Sequence, residues 1–368
     1  MSKEMIDKII NSKKIKYSVL DDILRDYLNF KNHRNKNMNV YIDLETITKQ
    51  LYTENVLESF NHVKDKDRLA ISAEIINIIA HYRHYFASRK QMYSRFFLFY
   101  SNDPSKYHIE INDEYKASFY SKRKTDNTSF RIMNNVMNYS MSIVKDIVNY
   151  IPNAFLLNTG NMEPTLVPYF IMNESNIVKE EDYNMIISNN PVFKQDLKYN
   201  ENSIILELRN DKSKIISKEN VIEELLSKSK KTPSDFPNIN YNSIDIINLL
   251  LPNSYFEMKS IKGYGAVKTC TLLDSKVNKG EYDNFSEYDL SNIADIFDSN
   301  IKSEIEERYK LLDHKHISSV VYTNMVNKLR TQFTEFDNPL EVKKLNDEIF
   351  TDNHLLLEYL YEGETEKR

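Results

Sequence analysis

The chain has 368 residues, 41% of them hydrophobic and 28% charged, with one cysteine and a formal net charge of −5. That balance fits a globular protein with one large core or two modest ones, and a lone cysteine excludes an intramolecular disulfide and a multi-cysteine zinc site. The charge gives no whole-molecule attraction for DNA, so any nucleic-acid surface has to come from local basic patches.

No stretch reaches the roughly 20 apolar residues of a membrane span, and Met1 to Leu20 mixes acidic and basic residues where a signal peptide carries an apolar block. The expectation is a cytoplasmic protein with no membrane partner. Richness in Lys, Asn, Ile and Tyr without Trp suggests an AT-rich genome such as a bacteriophage's, the cytoplasm then being that of an infected bacterium.

In chain order, residues 3 to 30 place apolar side chains at three- and four-residue intervals, as in one or two amphipathic helices, and Lys31 to Asn39 reads as a polar loop. Val40 to Leu44 is a short apolar stretch carrying Asp43 near its end, as in a buried parallel strand. Open α/β sheets place ligands at that end of a strand. Ile71 to Arg89 has helical periodicity, Arg95 to Tyr100 is a second strand candidate, and Phe130 to Tyr150 reads as helix. Residues 183 to 188 and 202 to 208 are further strand candidates. Strands alternating with helices predict an α/β fold with a mostly parallel central sheet flanked by helices. Ser243 to Leu251 turns helical, and from Ser286 onward the sequence is charged, mostly helical and expected to pack onto the core. The expected division is an N-terminal helical extension (1–37), an α/β domain (38–235), a hairpin region (236–285) and a C-terminal helical extension (286–368).

Glycine is scarce. Average usage predicts about 26, and the chain has 5, two of which, Gly263 and Gly265, stand two residues apart in Ser260-Ile261-Lys262-Gly263-Tyr264-Gly265-Ala266-Val267-Lys268-Thr269. A composition that avoids glycine keeps such a pair where the backbone needs an unusual conformation or a close approach. Two helices joined by a Gly-x-Gly turn aim the second helix's first amides at a phosphate, and Lys262 and Lys268 add charge. The alternative is an ordinary packing turn.

These residues resemble the helix-hairpin-helix of the phage-type 5′-nuclease (flap endonuclease-like, PIN-like) family, and the order of other segments extends the resemblance over residues 38 to 280. VYIDLETI resembles the family's first strand, with Asp43 a metal ligand. The segment from Phe96 to Lys124 resembles a strand leading through a basic stretch to a signature represented here by Tyr115, Lys116, Lys122 and Arg123. NTGNMEPTLVPYFIM resembles the acidic helix start, with Glu163 matching its Glu. IISNNPVFKQDLKY and LLLPNSYFEMKSIKGYG resemble the later acidic segments.

The resemblance implies nucleic acid as partner, DNA before RNA, with Mg²⁺ as metal and K⁺ at the hairpin. The chain departs from it in the carboxylates. Asp43 and Glu163 remain; the second-strand position falls on Tyr100, with Asp103 three residues on; the others fall on Asn190, Val192, Pro252 and Tyr255. Two-metal phosphodiester hydrolysis needs a cluster of hard oxygen ligands, and valine and proline side chains supply none. Asp43 otherwise reads as a strand-end residue capping the helix that follows. The basic segment reads either as an arch gripping a single strand, with Tyr115 stacking on bases, or as solvated loop charge. Three functions stay open: a catalytically impaired nucleic-acid binder, an active nuclease using Asp43, Asp103 and Glu163, and an interaction or virion component.

Overall fold

The computed structural model describes residues 36–47, 65–89, 92–115, 151–208, 213–282 and 296–333, apart from 102, 104, 114 and 298, together with Met141, Val144, Lys145 and Val148. Its strands are β1 (Asn37–Asp43), β2 (Tyr93–Tyr100), β3 (Ala154–Asn158), β4 (Tyr183–Ile187), β5 (Ser203–Glu207) and β6 (Lys214–Ile216). They form one 6-stranded sheet in the order β3-β2-β1-β4-β5-β6. Every pairing is parallel except β5 with β6.

Residue type explains the register. Along β1, Met38, Val40 and Ile42 enter one apolar layer and Tyr41 the other, because successive strand side chains point to opposite faces. The first layer is closed by α1 (Asp65–His84), which contributes Ile75, Ile79 and Tyr82. The second layer is thicker. It takes α2 (Lys106–Ile111), α3 (Leu166–Asn173), α4 (Asp196–Tyr199) and α5 (Val221–Leu226). It also takes α6 (Ile244–Leu250), α7 (Ala266–Asn278), α8 (Lys302–Leu312) and α9 (His314–Leu329). Fully buried Phe97, Phe99, Phe193, Ile247 and Leu329 hold it together, each large apolar side chain contributing about 1.5–3 kcal/mol of transfer free energy.

The C-terminal helices are fastened by polar contacts as well. Gln195 Nε2 donates to Leu312 O at 2.8 Å, and Gln195 Oε1 accepts from His314 N at 3.0 Å. Gln332 bonds both backbone groups of Asn158, accepting from its N–H at 2.7 Å and donating to its C=O at 3.0 Å. Its side-chain amide thus occupies pairing groups at the end of edge strand β3, which would otherwise be an exposed template.

The chain runs from β1 outward through β2 to β3, then returns to lay β4 along the other side of β1. The crevice at the C-terminal ends of β1 and β4 is therefore the topological switch point, where ligands bind in open α/β sheets. No helix among the described residues is long and apolar enough to cross a membrane.

Several sequence expectations need adjusting. The first strand begins at Asn37, inside what reads as a loop, because Met38 is a core residue. Strands β3 and β6 had no counterpart in the sequence reading. The predicted helices in residues 3 to 30, and most of the one at 130 to 150, lie outside the described residues.

Candidate functional site

At the switch point, Asp43 ends β1 with its side chain 4% exposed. One carboxylate oxygen, Oδ1, accepts from the backbone N–H groups of Glu45 at 3.1 Å and Thr46 at 3.2 Å. The other, Oδ2, accepts from Thr46 Oγ1 at 2.5 Å and from Ser188 Oγ, just beyond β4, at 2.7 Å. The backbone contacts are those of a helix N-cap, the alternative that the sequence left open for this residue.

The polar contacts continue in both directions. Ser188 Oγ accepts from Asn190 N at 3.0 Å, and Asn190 Oδ1 accepts from Val192 N at 3.1 Å and from Asn253 Nδ2 at 3.4 Å. Asn253 Oδ1 accepts from the backbone of Tyr255 at 2.9 Å and Phe256 at 3.3 Å. The hydroxyl of Tyr255 is hydrogen-bonded to the Thr46 side chain, which returns to Asp43. Asp43, Ser188, Asn190, Asn253, Tyr255 and Thr46 thus close a ring that joins the ends of β1 and β4 to the loop before the twin glycines.

Protons balance around this ring with Asp43 ionised. Tyr255 donates to Thr46, Thr46 and Ser188 donate to Asp43, and Ser188 accepts from a backbone amide, so each hydroxyl gives its one hydrogen and uses a lone pair. Burial nonetheless raises the Asp43 pKa, with nearby Glu45 adding to it and the bonds from Thr46 and Ser188 opposing it. Burial also pushes the Tyr255 phenol up to about 12, so it stays a donor at neutral pH.

The other predicted carboxylates lie apart from this ring's bonds. Glu163 is buried and accepts a hydrogen bond from the hydroxyl of Tyr115, itself 3% exposed and packed on His108 and Phe256. This corrects the stacking role expected for Tyr115, whose ring is inside the core. Asp103 is exposed, its backbone N–H donating to Gly160 O at 3.2 Å. Lys116, Lys122 and Arg123 lie outside the described residues.

The twin-glycine turn precedes α7. Gly263 has φ +86, a left-handed conformation that only glycine adopts readily, and Gly265 is the N-cap of α7 with no side-chain cap. Lys262, Gly263, Gly265 and Lys268 are exposed. The Lys268 ammonium lies 4.8 Å from the centroid of the Tyr264 ring, which is packed into the core. Thr269 is a correction: it is fully buried, one turn inside the helix, and presents nothing to a ligand in solvent.

No protein-family model and no curated protein matches the chain. Solved structures do. A crystal structure of bacteriophage T5 D15 protein co-crystallised with metal ions superposes with a TM-score of 0.52 at 9% identity, over 80% of this chain and 98% of the other. A complex of T5 D15 flap endonuclease, as a pseudo-enzyme, with product DNA and metal ions gives 0.52 at 9% identity over 81% and 100%. T5 5′-exonuclease with bound zinc gives 0.50 at 10% identity over 88% and 97%. The fold is that of a 5′-nuclease.

The ring residues of this 5′-nuclease fold do not fit a two-metal centre. Such a centre needs clustered anionic oxygens to balance two divalent charges. Around Asp43 stand hydroxyls, amides, a phenol and one further carboxylate, Glu45, and both Asp43 oxygens are already engaged. Among the described residues no group of three or more His, Cys, Asp or Glu side chains is placed to hold a metal ion, so Asp43, Asp103 and Glu163 do not form one. Sequence reasoning missed Thr46, Ser188 and Asn253. The signal available for them was weak: short side chains beside the aligned acidic positions, of a kind that also caps any turn.

Proposed function

We propose that this chain binds nucleic acid on a 5′-nuclease fold and is impaired in phosphodiester cleavage. The observation that carries the reading is the hydrogen-bonded ring around Asp43, in which neutral donors stand at the switch point where hydrolysis would need ion ligands. The phosphate grip is assigned to the twin-glycine turn, a helix-hairpin-helix in which the first amides of α7 lie beyond an uncapped Gly265. Exposed Lys262 and Lys268 flank it. DNA is the favoured ligand, since T5 D15 flap endonuclease is complexed with DNA. Such a grip reads backbone shape and charge, with no base discrimination. K⁺ coordination by turn carbonyls belongs to the same reading as an auxiliary feature.

The test is equilibrium binding of a 5′-flap duplex across a salt series. Binding is expected to weaken linearly in log–log form, and Lys262→Ala and Lys268→Ala are each expected to reduce the slope by about 0.9. Absence of salt-dependent binding, or slopes untouched by both substitutions, contradicts the reading.

A further inference from the structure

The loop between α6 and the twin-glycine turn is held at two places by side chains from outside the turn itself. At its base, Arg308 of α8 donates through Nη1 to Leu249 O at 3.0 Å and Leu251 O at 3.4 Å, and through Nη2 to Lys259 O. One guanidinium therefore closes both ends of the loop, its planar fork matching several carbonyls at once. Arg308 is 7% exposed and also bonds Glu304 at 2.8 Å. Within the loop, Asn253 and Met258 exchange backbone bonds at 2.9 Å, which presents Tyr255 and the Asn253 amide to the sheet. At the tip, those two side chains reach Thr46 and Asn190. Immediately after the loop, Ile261 N donates to Leu250 O at 3.0 Å and the backbone enters the glycine turn.

We propose that Tyr255 and Arg308 are positioning residues that fix the twin-glycine turn relative to the sheet edge, the Asp43 ring serving as a tie that needs no divalent ion. The proposal rests on the nucleic-acid-binding reading for its purpose, but the tie is a property of the chain alone. The physical reason is geometric. A turn that grips phosphates works only when its amides and lysines point in a fixed direction, and residues 252 to 265 contain no helix or long strand to provide that stiffness. The ring supplies it from the sheet and Arg308 supplies it from α8, which also gives the C-terminal helices a part in the site. Tyr255 and Arg308 touch other protein groups, so they act on the ligand through Gly263 and Lys268.

The experiment is amide hydrogen exchange of the full chain over residues 253–264, in EDTA and then in Mg²⁺, alongside flap-duplex affinity. Tyr255→Phe removes one hydroxyl and is expected to speed exchange in this segment about fivefold, the size of a single lost hydrogen bond, while amides of β1 and β4 keep their wild-type rates. Arg308→Lys keeps the charge, loses the fork and is expected to act on the same segment. The double variant is expected to bind the duplex more weakly with an unchanged salt slope, because a smaller competent population lowers affinity without removing phosphate contacts. Mg²⁺ is expected to leave the wild-type exchange rates as they are in EDTA. Wild-type exchange in both single variants, or Mg²⁺-dependent protection of residues 253–264 in the wild type, overturns the tie. If the wild-type chain fails to bind nucleic acid, the functional reading falls and the exchange data still judge the tie.

Discussion

Ser188 Oγ donates to Asp43 Oδ2 at 2.7 Å, so a hydroxyl from just beyond β4 joins the ends of β1 and β4 across the switch point. A hydrogen bond to a buried carboxylate is among the stronger side-chain contacts, and removing its donor leaves the anion less compensated. Ser188→Ala is expected to destabilise the chain by about 1–3 kcal/mol at neutral pH, as read by urea denaturation. The loss is expected to shrink as pH is lowered and Asp43 takes up its proton, which burial makes easier than for an exposed carboxylate.

The two glycines are expected to respond differently. A Cβ on Gly263 meets only Lys268 Nζ, at 3.5 Å, so the obstacle there is the backbone at φ +86. Gly263→Ala is expected to cost about 1–2 kcal/mol in stability for that left-handed conformation. At Gly265 an added Cβ meets nothing within 4 Å. Gly265→Ala meets no steric obstacle but puts a poor N-cap residue at the start of α7, so it is expected to cost less than about 1 kcal/mol and to weaken flap-duplex binding, because what a side chain obstructs there is the approach of a ligand. Thermal melts and binding titrations on the two variants separate the cases.

A pH dependence follows from the N-terminus of α9. Asp313 caps that helix, its Oδ1 accepting from His316 N at 2.6 Å. Burial pushes its pKa from 3.8 up to about 6, opposed by the His316 bond and by His314 and Lys198, with Asp245 reinforcing the rise. For a carboxyl raised in this way, the stabilising contribution is complete below about pH 3.8 and is lost as pH rises through about 6. Asn caps helices as well as Asp does. Asp313→Asn is therefore expected to be the more stable protein at pH 7.5, by up to about 3 kcal/mol, with the advantage shrinking towards pH 4. Urea midpoints of both proteins at the two pH values check this.

The strands that bury both faces were legible because Val, Ile, Phe and Tyr runs admit few other readings: β1, β2, β4 and β5 each fall on a predicted apolar stretch. Ala154 to Asn158 was not legible, since its residues are only partly buried apart from Leu157 and it follows a turn at Asn153 with φ 52. Lys214 to Ile216 is too short to show a period. The twin glycines announced themselves by composition. The ring did not, because Thr46, Ser188 and Asn253 gain their meaning only from elements that the fold brings together, Asp43 and Ser188 being 145 positions apart. Tyr115 looked available because an aromatic in a basic segment has the same one-dimensional signature whether it faces solvent or, as here, the Glu163 carboxylate.

The most direct measurement is cleavage of a 5′-flap DNA by the purified chain in Mg²⁺ and in Mn²⁺, run beside Asp43→Asn. With the carboxylate of Asp43 committed to its hydrogen-bonded ring, the account predicts no cleavage above background and no difference between the two proteins. Metal-dependent cleavage that disappears in Asp43→Asn would contradict it.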